Sequence, residues 1–154
     1  PNPSNNSATL AILVPEANAI EIAVWRSQYF GEIELDDPTK EATVWGDRAN
    51  PDGDLMPNLV EFFMGLNPNA VDDDGVYILA DESGAITFTF RRSINVDAGI
   101  GGPEYSANLI DWFTTGIVEQ SVNDMGDYVE VTVTVPVDPD DPGVFVRLNV
   151  GSGN

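Results

Sequence analysis

Asn50 to Pro68 reads N-P-D-G-D-L-M-P-N-L-V-E-F-F-M-G-L-N-P. Numbered as a twelve-residue calcium loop, it places Asn50, Asp52, Asp54, Asn58 and Glu61 at positions 1, 3, 5, 9 and 12, with the Met56 carbonyl at position 7. Alternate side chains of a tight acidic turn point at one cation, and the twelfth residue can supply both carboxylate oxygens from the first turn of a following helix. Pro57 suits the start of that helix. Phe62, Phe63 and Met64 give it an apolar surface, Gly65 fits a left-handed C-terminal cap, and Pro68 stops it. Position 1 is Asn rather than Asp, and position 6 is Leu55 rather than the usual Gly, so Gly53 is expected to take over part of the sharp turn. The alternative for this stretch is an acidic turn and a capped helix with no ion.

Upstream, Ala8–Val14 (A-T-L-A-I-L-V) reads as an apolar strand closed by Pro15. It can pair within its own sheet or with the sheet of another copy. Asn18 with Glu21 fits a capping box, and Ile22, Trp25 and Tyr29 share one helical face, with Gly31 ending the helix. This helix is expected to pack against the one after the loop. Glu32 to Ala49 is a long connection anchored by Val44–Trp45, with Asp47 a possible outer ligand. Downstream, Asn67 to Gly75 is a second acidic turn. Asp72 and Asp74 there are expected to complete the first site or to hold a second ion.

After Gly75 the apolar period changes from helical to two. Strands are expected at Val76–Ala80, Ala85–Arg92, Glu104–Leu109, Thr115–Ser121, Tyr128–Val135 and Val144–Val150, with a flexible glycine-rich loop at Asp97–Pro103. The predicted class is α+β, mainly β: an N-terminal lone strand (1–15), a two-helix calcium-loop segment (16–75) and an antiparallel β-sandwich (76–154).

Composition narrows the chemistry. Among 154 residues, 26 acids face 6 bases, a net charge of −20. Such a surface repels nucleic acid and anionic membranes and attracts divalent cations. The chain has no Cys and no His. That excludes disulfides, thiolate nucleophiles, imidazole bases and His-ligated metals. No run reaches membrane-spanning length. Gly99–Gly102 lacks the strand-to-helix context of a phosphate loop, and no carboxylate pair is marked as acid and base, so no enzyme is expected. Arg91 and Arg92 are expected to neutralise neighbouring carboxylates. The chain begins at Pro1, which leaves a removed leader and a fragment of a longer chain both open.

The run Asp52–Pro68 resembles the D-G-D-G-L-x-N-L-L-E-Y-x-L-G-x-x-P motif of dockerin-like calcium-binding segments in large secreted proteins of environmental bacteria. There it follows a short W-x-x-x-x-F helix, matched by Trp25–Phe30. The β module after it carries elements similar to Phe88–Arg92, Ser106–Trp112 and Phe145–Val150; this chain has Asn108 where the second element has Asp. The resemblance implies a secreted or cell-surface, calcium-stabilised, non-catalytic module. Cohesin binding is not implied, because dockerins carry two such loops. The expected function is a self-assembling extracellular scaffold or filament subunit, with Ca2+ as cofactor and copies of itself or other surface proteins as partners. The alternative is a glycan-binding or adhesion accessory module using Trp45 or Trp112.

Overall fold

A computed structural model describes residues 17–72, 76–80, 86–138 and 143–151. The side chains of 17–20 and 76–80 are outside the description. So are the expected strand Ala8–Val14, Asp73, Asp74 and the turn at Asp81–Gly84.

Helix α1 spans Ala17–Tyr29, so Asn18 lies inside its first turn rather than ahead of it. Trp25 and Phe30 are buried, with Ile22 and Tyr29 packed beside them. Helix α3, Asn58–Met64, meets α1 edge-on: the Trp25 and Phe62 rings lie 5.8 Å apart at 65°. That is the expected packing of the two helices.

The connection between them is more structured than its length suggests. It holds a short helix α2 (Glu32–Leu35), a 3₁₀ turn (Pro38–Lys40) and a π-type turn (Glu41–Trp45). The Asp37 side chain caps the 3₁₀ turn by accepting from Thr39 N at 2.9 Å. Trp45 is the anchor that the sequence suggests, half-buried against the core and donating Nε1–H to the Asp37 carbonyl at 3.3 Å. Gly46 closes the π-type turn because nothing larger fits: a Cβ there would sit 2.3 Å from the Glu41 carbonyl oxygen.

Helix α3 ends as its sequence demands. Gly65 has φ 69°, a left-handed conformation that costs glycine nothing. Leu66 N–H donates to the Glu61 carbonyl at 2.8 Å and Gly65 N–H to Phe62 at 3.2 Å, a Schellman cap. A second cap comes from the sheet. Arg91 donates Nε–H to the Met64 carbonyl at 2.7 Å and Nη2–H to Gly65 at 3.0 Å, and its guanidinium lies 4.0 Å above the Tyr128 ring. Arg91 therefore serves the negative end of α3, and among the described residues it forms no ion pair with a carboxylate, although Glu130 lies opposite it in the register.

The remainder is antiparallel sheet, which with the helices makes the class α+β. Strands β1 (Val76–Ala80), β2 (Ile86–Ser93), β4 (Val118–Asp124) and β5 (Tyr128–Val135) form one sheet in the order β1-β2-β5-β4. Strands β3 (Gly101–Ser106) and β6 (Phe145–Val150) form a separate two-stranded sheet. The alternation in β2 and β5 reads through directly: Phe88 pairs with Val133 and Phe90 with Val131, and all four are buried. Phe63 of α3 stacks on Phe90 with ring centroids 6.2 Å apart. One hydrophobic cluster joins α1, α3, β2 and β5, with Val146, Leu148 and Val150 of β6 against it.

The strand boundaries that differ most from the sequence reading are those of β3 and β4, which both lie about three residues from their expected places. The glycine-rich stretch is not a flexible loop. Asp97 caps a 3₁₀ turn at Ala98–Ile100, and β3 starts at Gly101. A Cβ on Gly101 would lie 3.0 Å from both the Asn149 carbonyl oxygen and the Phe63 ring, so glycine here permits a close approach. Strand β3 stops at Ser106, whose hydroxyl accepts from Asn108 N and Leu109 N and turns the chain. Strand β4 begins at Val118, later than expected, because Gly116 (φ 86°) makes a turn before it.

Replacing Arg91 by Met is expected to cost about 1.5–3 kcal/mol, since charged hydrogen bonds to two helix-end carbonyls are lost. Arg92→Ala should stay within about 0.5 kcal/mol. Urea unfolding of the two variants measures this, and equal losses would show that the α3 cap contributes nothing particular.

Candidate metal centre

The loop before α3 is built by its own side chains. Asn50 Oδ1 accepts from Gly53 N at 2.9 Å, and its Nδ2 donates to the Asp54 carbonyl at 2.6 Å. Asp52 Oδ1 accepts from Asp54 N, and Asp54 Oδ1 from Met56 N. These are successive Asx-type turns, each curling the chain around the same point. The left-handed residue is Gly53, at φ 80°. It does the work that Gly at position 6 does elsewhere, which frees Leu55 to point outward at 97 % exposure.

The ends of the loop are clamped together. Asn58 N–H donates to the Ala49 carbonyl at 2.9 Å and Leu59 N–H to Asp47 at 3.0 Å. The first orphan donors of α3 are thereby satisfied by the chain entering the loop. The Asn58 amide reaches further back, donating Nδ2–H to the carbonyls of Val44 (2.8 Å) and Gly46 (3.1 Å). Asn58 thus braces the π-type turn, a role its place at position 9 does not reveal. Its Oδ1 is buried and has no hydrogen-bond partner.

Glu61 decides the character of the site. The residue is 0 % exposed, and neither carboxylate oxygen has a hydrogen-bond partner. Carboxylate oxygens of Asp52, Asp54 and Glu61 lie within 4.8 Å of one another, so one cation can touch all three. Asp52 Oδ2 is likewise buried and unpartnered. Asp72 reaches the site from beyond α3: its N–H donates to Asp54 Oδ2 at 3.2 Å, and its charge acts on Glu61. Burial, with the charges of Asp52, Asp54 and Asp72 added to it, pushes the Glu61 carboxyl up to about 8 from an ordinary 4.5. Ionising it without a counter-cation costs on the order of a few kcal/mol. Oxygen donors alone, with two buried oxygens unpaired on one carboxylate, fit a hard divalent cation.

Of the residues singled out from the sequence, Asp52, Asp54 and Glu61 converge, with Asp72 beside them. Asn50 and Met56 sit in the loop with side-chain oxygen and N–H, respectively, engaged inside it. Asp74 lies outside the described residues. Asp47, expected as an outer ligand, forms an ion pair with Arg26 of α1, whose guanidinium also lies 5.6 Å from the Trp45 ring. No protein-family model, curated protein or solved structure matches this chain.

Two outcomes follow. The folded Glu61 carboxyl holds its proton more tightly than an unfolded one, so its contribution to stability is complete below pH 4.5 and lost as pH rises through about 8. In chelator the melting temperature should fall across that interval, and Glu61→Gln should flatten the slope; a wild-type slope in the variant would assign it to other acids. Asn58→Ala should cost about 1–3 kcal/mol with calcium and with chelator alike, because it takes the side-chain donor from the Val44 carbonyl and one of the two donors from Gly46. A loss confined to the calcium-loaded protein would make Asn58 a ligand rather than a brace.

Proposed function

We propose that the chain is a non-catalytic, calcium-stabilised structural module, secreted or displayed at a cell surface, that assembles with copies of itself into an extracellular scaffold or filament. The observation that carries the calcium part is the buried, unpartnered Glu61 carboxylate facing Asp52 and Asp54. A bare carboxylate at that depth is costly, and an ion held by three or four carboxylates offsets the cost. In this reading the four-stranded sheet and the β3–β6 pair are the two layers of a β-sandwich, with α3 and its ion locking the helical segment to them.

The extracellular placement rests on the likeness of Asp52–Pro68 to calcium segments of secreted proteins. Loops of that class bind at ~10⁻⁴ to 10⁻³ M, which suits the calcium level outside cells. No helix of the described residues is long and apolar enough to cross a membrane. The glycan-binding alternative has less support. Trp45 and Trp112 are half-buried, and each has an arginine over its ring, Arg147 lying 3.9 Å from the Trp112 centroid. A sugar platform needs an open aromatic face.

Calcium at roughly 100-fold above the dissociation constant should add about 2.7 kcal/mol to folding stability. Glu61→Ala should abolish most of that gain. Thermal melting against calcium concentration measures both, and a calcium response unchanged in Glu61→Ala would remove the assignment. Sedimentation with calcium should show species far larger than one chain; a monomer at every concentration would leave only an accessory module.

A further inference from the structure

The self-assembly reading requires a surface where copies meet, and this inference rests on that reading. Strand β4 is, among the described residues, the last of its sheet, paired with β5 on its inner side. Among the described residues its outer backbone edge has no partner. Six of its seven residues are exposed. Register places Val122 opposite the buried Val131, hence on the sheet face that carries the core. Yet Val122 is 43 % exposed; Val118, opposite Thr134 and across a bulge in the strand, lies on the other face at 53 %. The core-bearing face therefore runs out before the sheet does. An edge of this kind is a template for one more strand, and an apolar one would cover Val122.

Charge decides which strand can come. Two copies at −20 each repel, so the element that crosses between them is best uncharged. Ala8–Val14 is uncharged, apolar and seven residues long, and β4 is also seven residues, Val118–Asp124. It is joined to α1 only through Pro15 and Glu16. Strand β4 itself carries two charges, Glu119 and Asp124, near its ends. An uncharged strand alongside sets no carboxylate opposite either of them, whereas the edge of another acidic strand risks doing so.

We propose that the outer edge of β4 receives Ala8–Val14 of a second copy as an added strand. Each copy donates at its N-terminal side and accepts at β4, so the contact is head-to-tail and can repeat without closing. Backbone hydrogen bonds along the edge supply affinity, and the uncovered Val122 on the core-bearing face helps to set register.

The chain has no native cysteine, so single-cysteine variants report the contact cleanly. One population carries Leu10→Cys, Ile12→Cys or Val14→Cys, and a second carries Ser121→Cys. A third, Leu79→Cys, samples β1, the other edge of the sheet. After mixing and mild oxidation, the best donor variant should link to Ser121→Cys on the order of tenfold more than to Leu79→Cys, because a disulfide forms only when Cα atoms lie within roughly 7 Å. Calcium-dependent melting of each variant confirms that it folds. Large assemblies by sedimentation with no link to Ser121→Cys, or with links to Leu79→Cys instead, would overturn the β4 contact while leaving self-assembly standing. Sedimentation as a monomer would overturn both.

Discussion

A carboxylate with no access to water governs this molecule. Glu61 is fully buried, its oxygens are unpaired, and three other acids act on it. The next residues along the helix, Phe62, Phe63 and Met64, are the centre of the core. The least favourable electrostatic position and the most favourable apolar packing are therefore on the same seven-residue helix. Moving Glu61 outward to solvent would withdraw Phe63 from Phe90 and Phe62 from Trp25. The fold cannot relax one without losing the other, which is the physical reason a cation at Asp52, Asp54 and Glu61 would bear on the whole chain and not on a loop alone.

So short a helix has little stability of its own. Its position is set from outside at both ends. The chain entering the loop satisfies its first N–H groups through Asp47 and Ala49, and Arg91 of β2 holds its last carbonyls. With few cations in the chain, their placement is informative. Arg91 serves a helix end, Arg26 ties α1 to Asp47 just before the loop, and Arg147 pairs with Glu104 across β3 and β6 while covering Trp112. Each of these three spans two elements. The remaining acid excess is left for solvent or for divalent cations, and it makes any contact between copies selective for uncharged surface.

Much of the fold can be read from local pattern. The strict alternation of Val129, Val131, Val133 and Val135 marks β5, and Phe88 and Phe90 mark the buried face of β2. The spacing of Asp52, Asp54 and Glu61 foretells their convergence, since an acidic turn followed by a helix leaves few other arrangements. Gly65 announces the end of α3, because only glycine takes that left-handed cap without strain. These are short-range facts, in which the residue and its few neighbours hold the whole argument.

What the amino-acid order determined by itself was therefore the two main helices, the approximate places of the strands, the buried faces of β2 and β5 and the candidate cation ligands. Only the tertiary structure decided the long-range partners. It made Asn58 a brace for Val44 and Gly46, Arg91 a cap for α3, and Asp47 a partner of Arg26. It turned a glycine-rich stretch into the start of β3, because Gly101 must pass close to Asn149 and Phe63. It also decided that β4 lies at an edge with its valines uncovered. Each of these depends on groups that meet across tens of residues, and periodicity carries no information about which distant group will arrive.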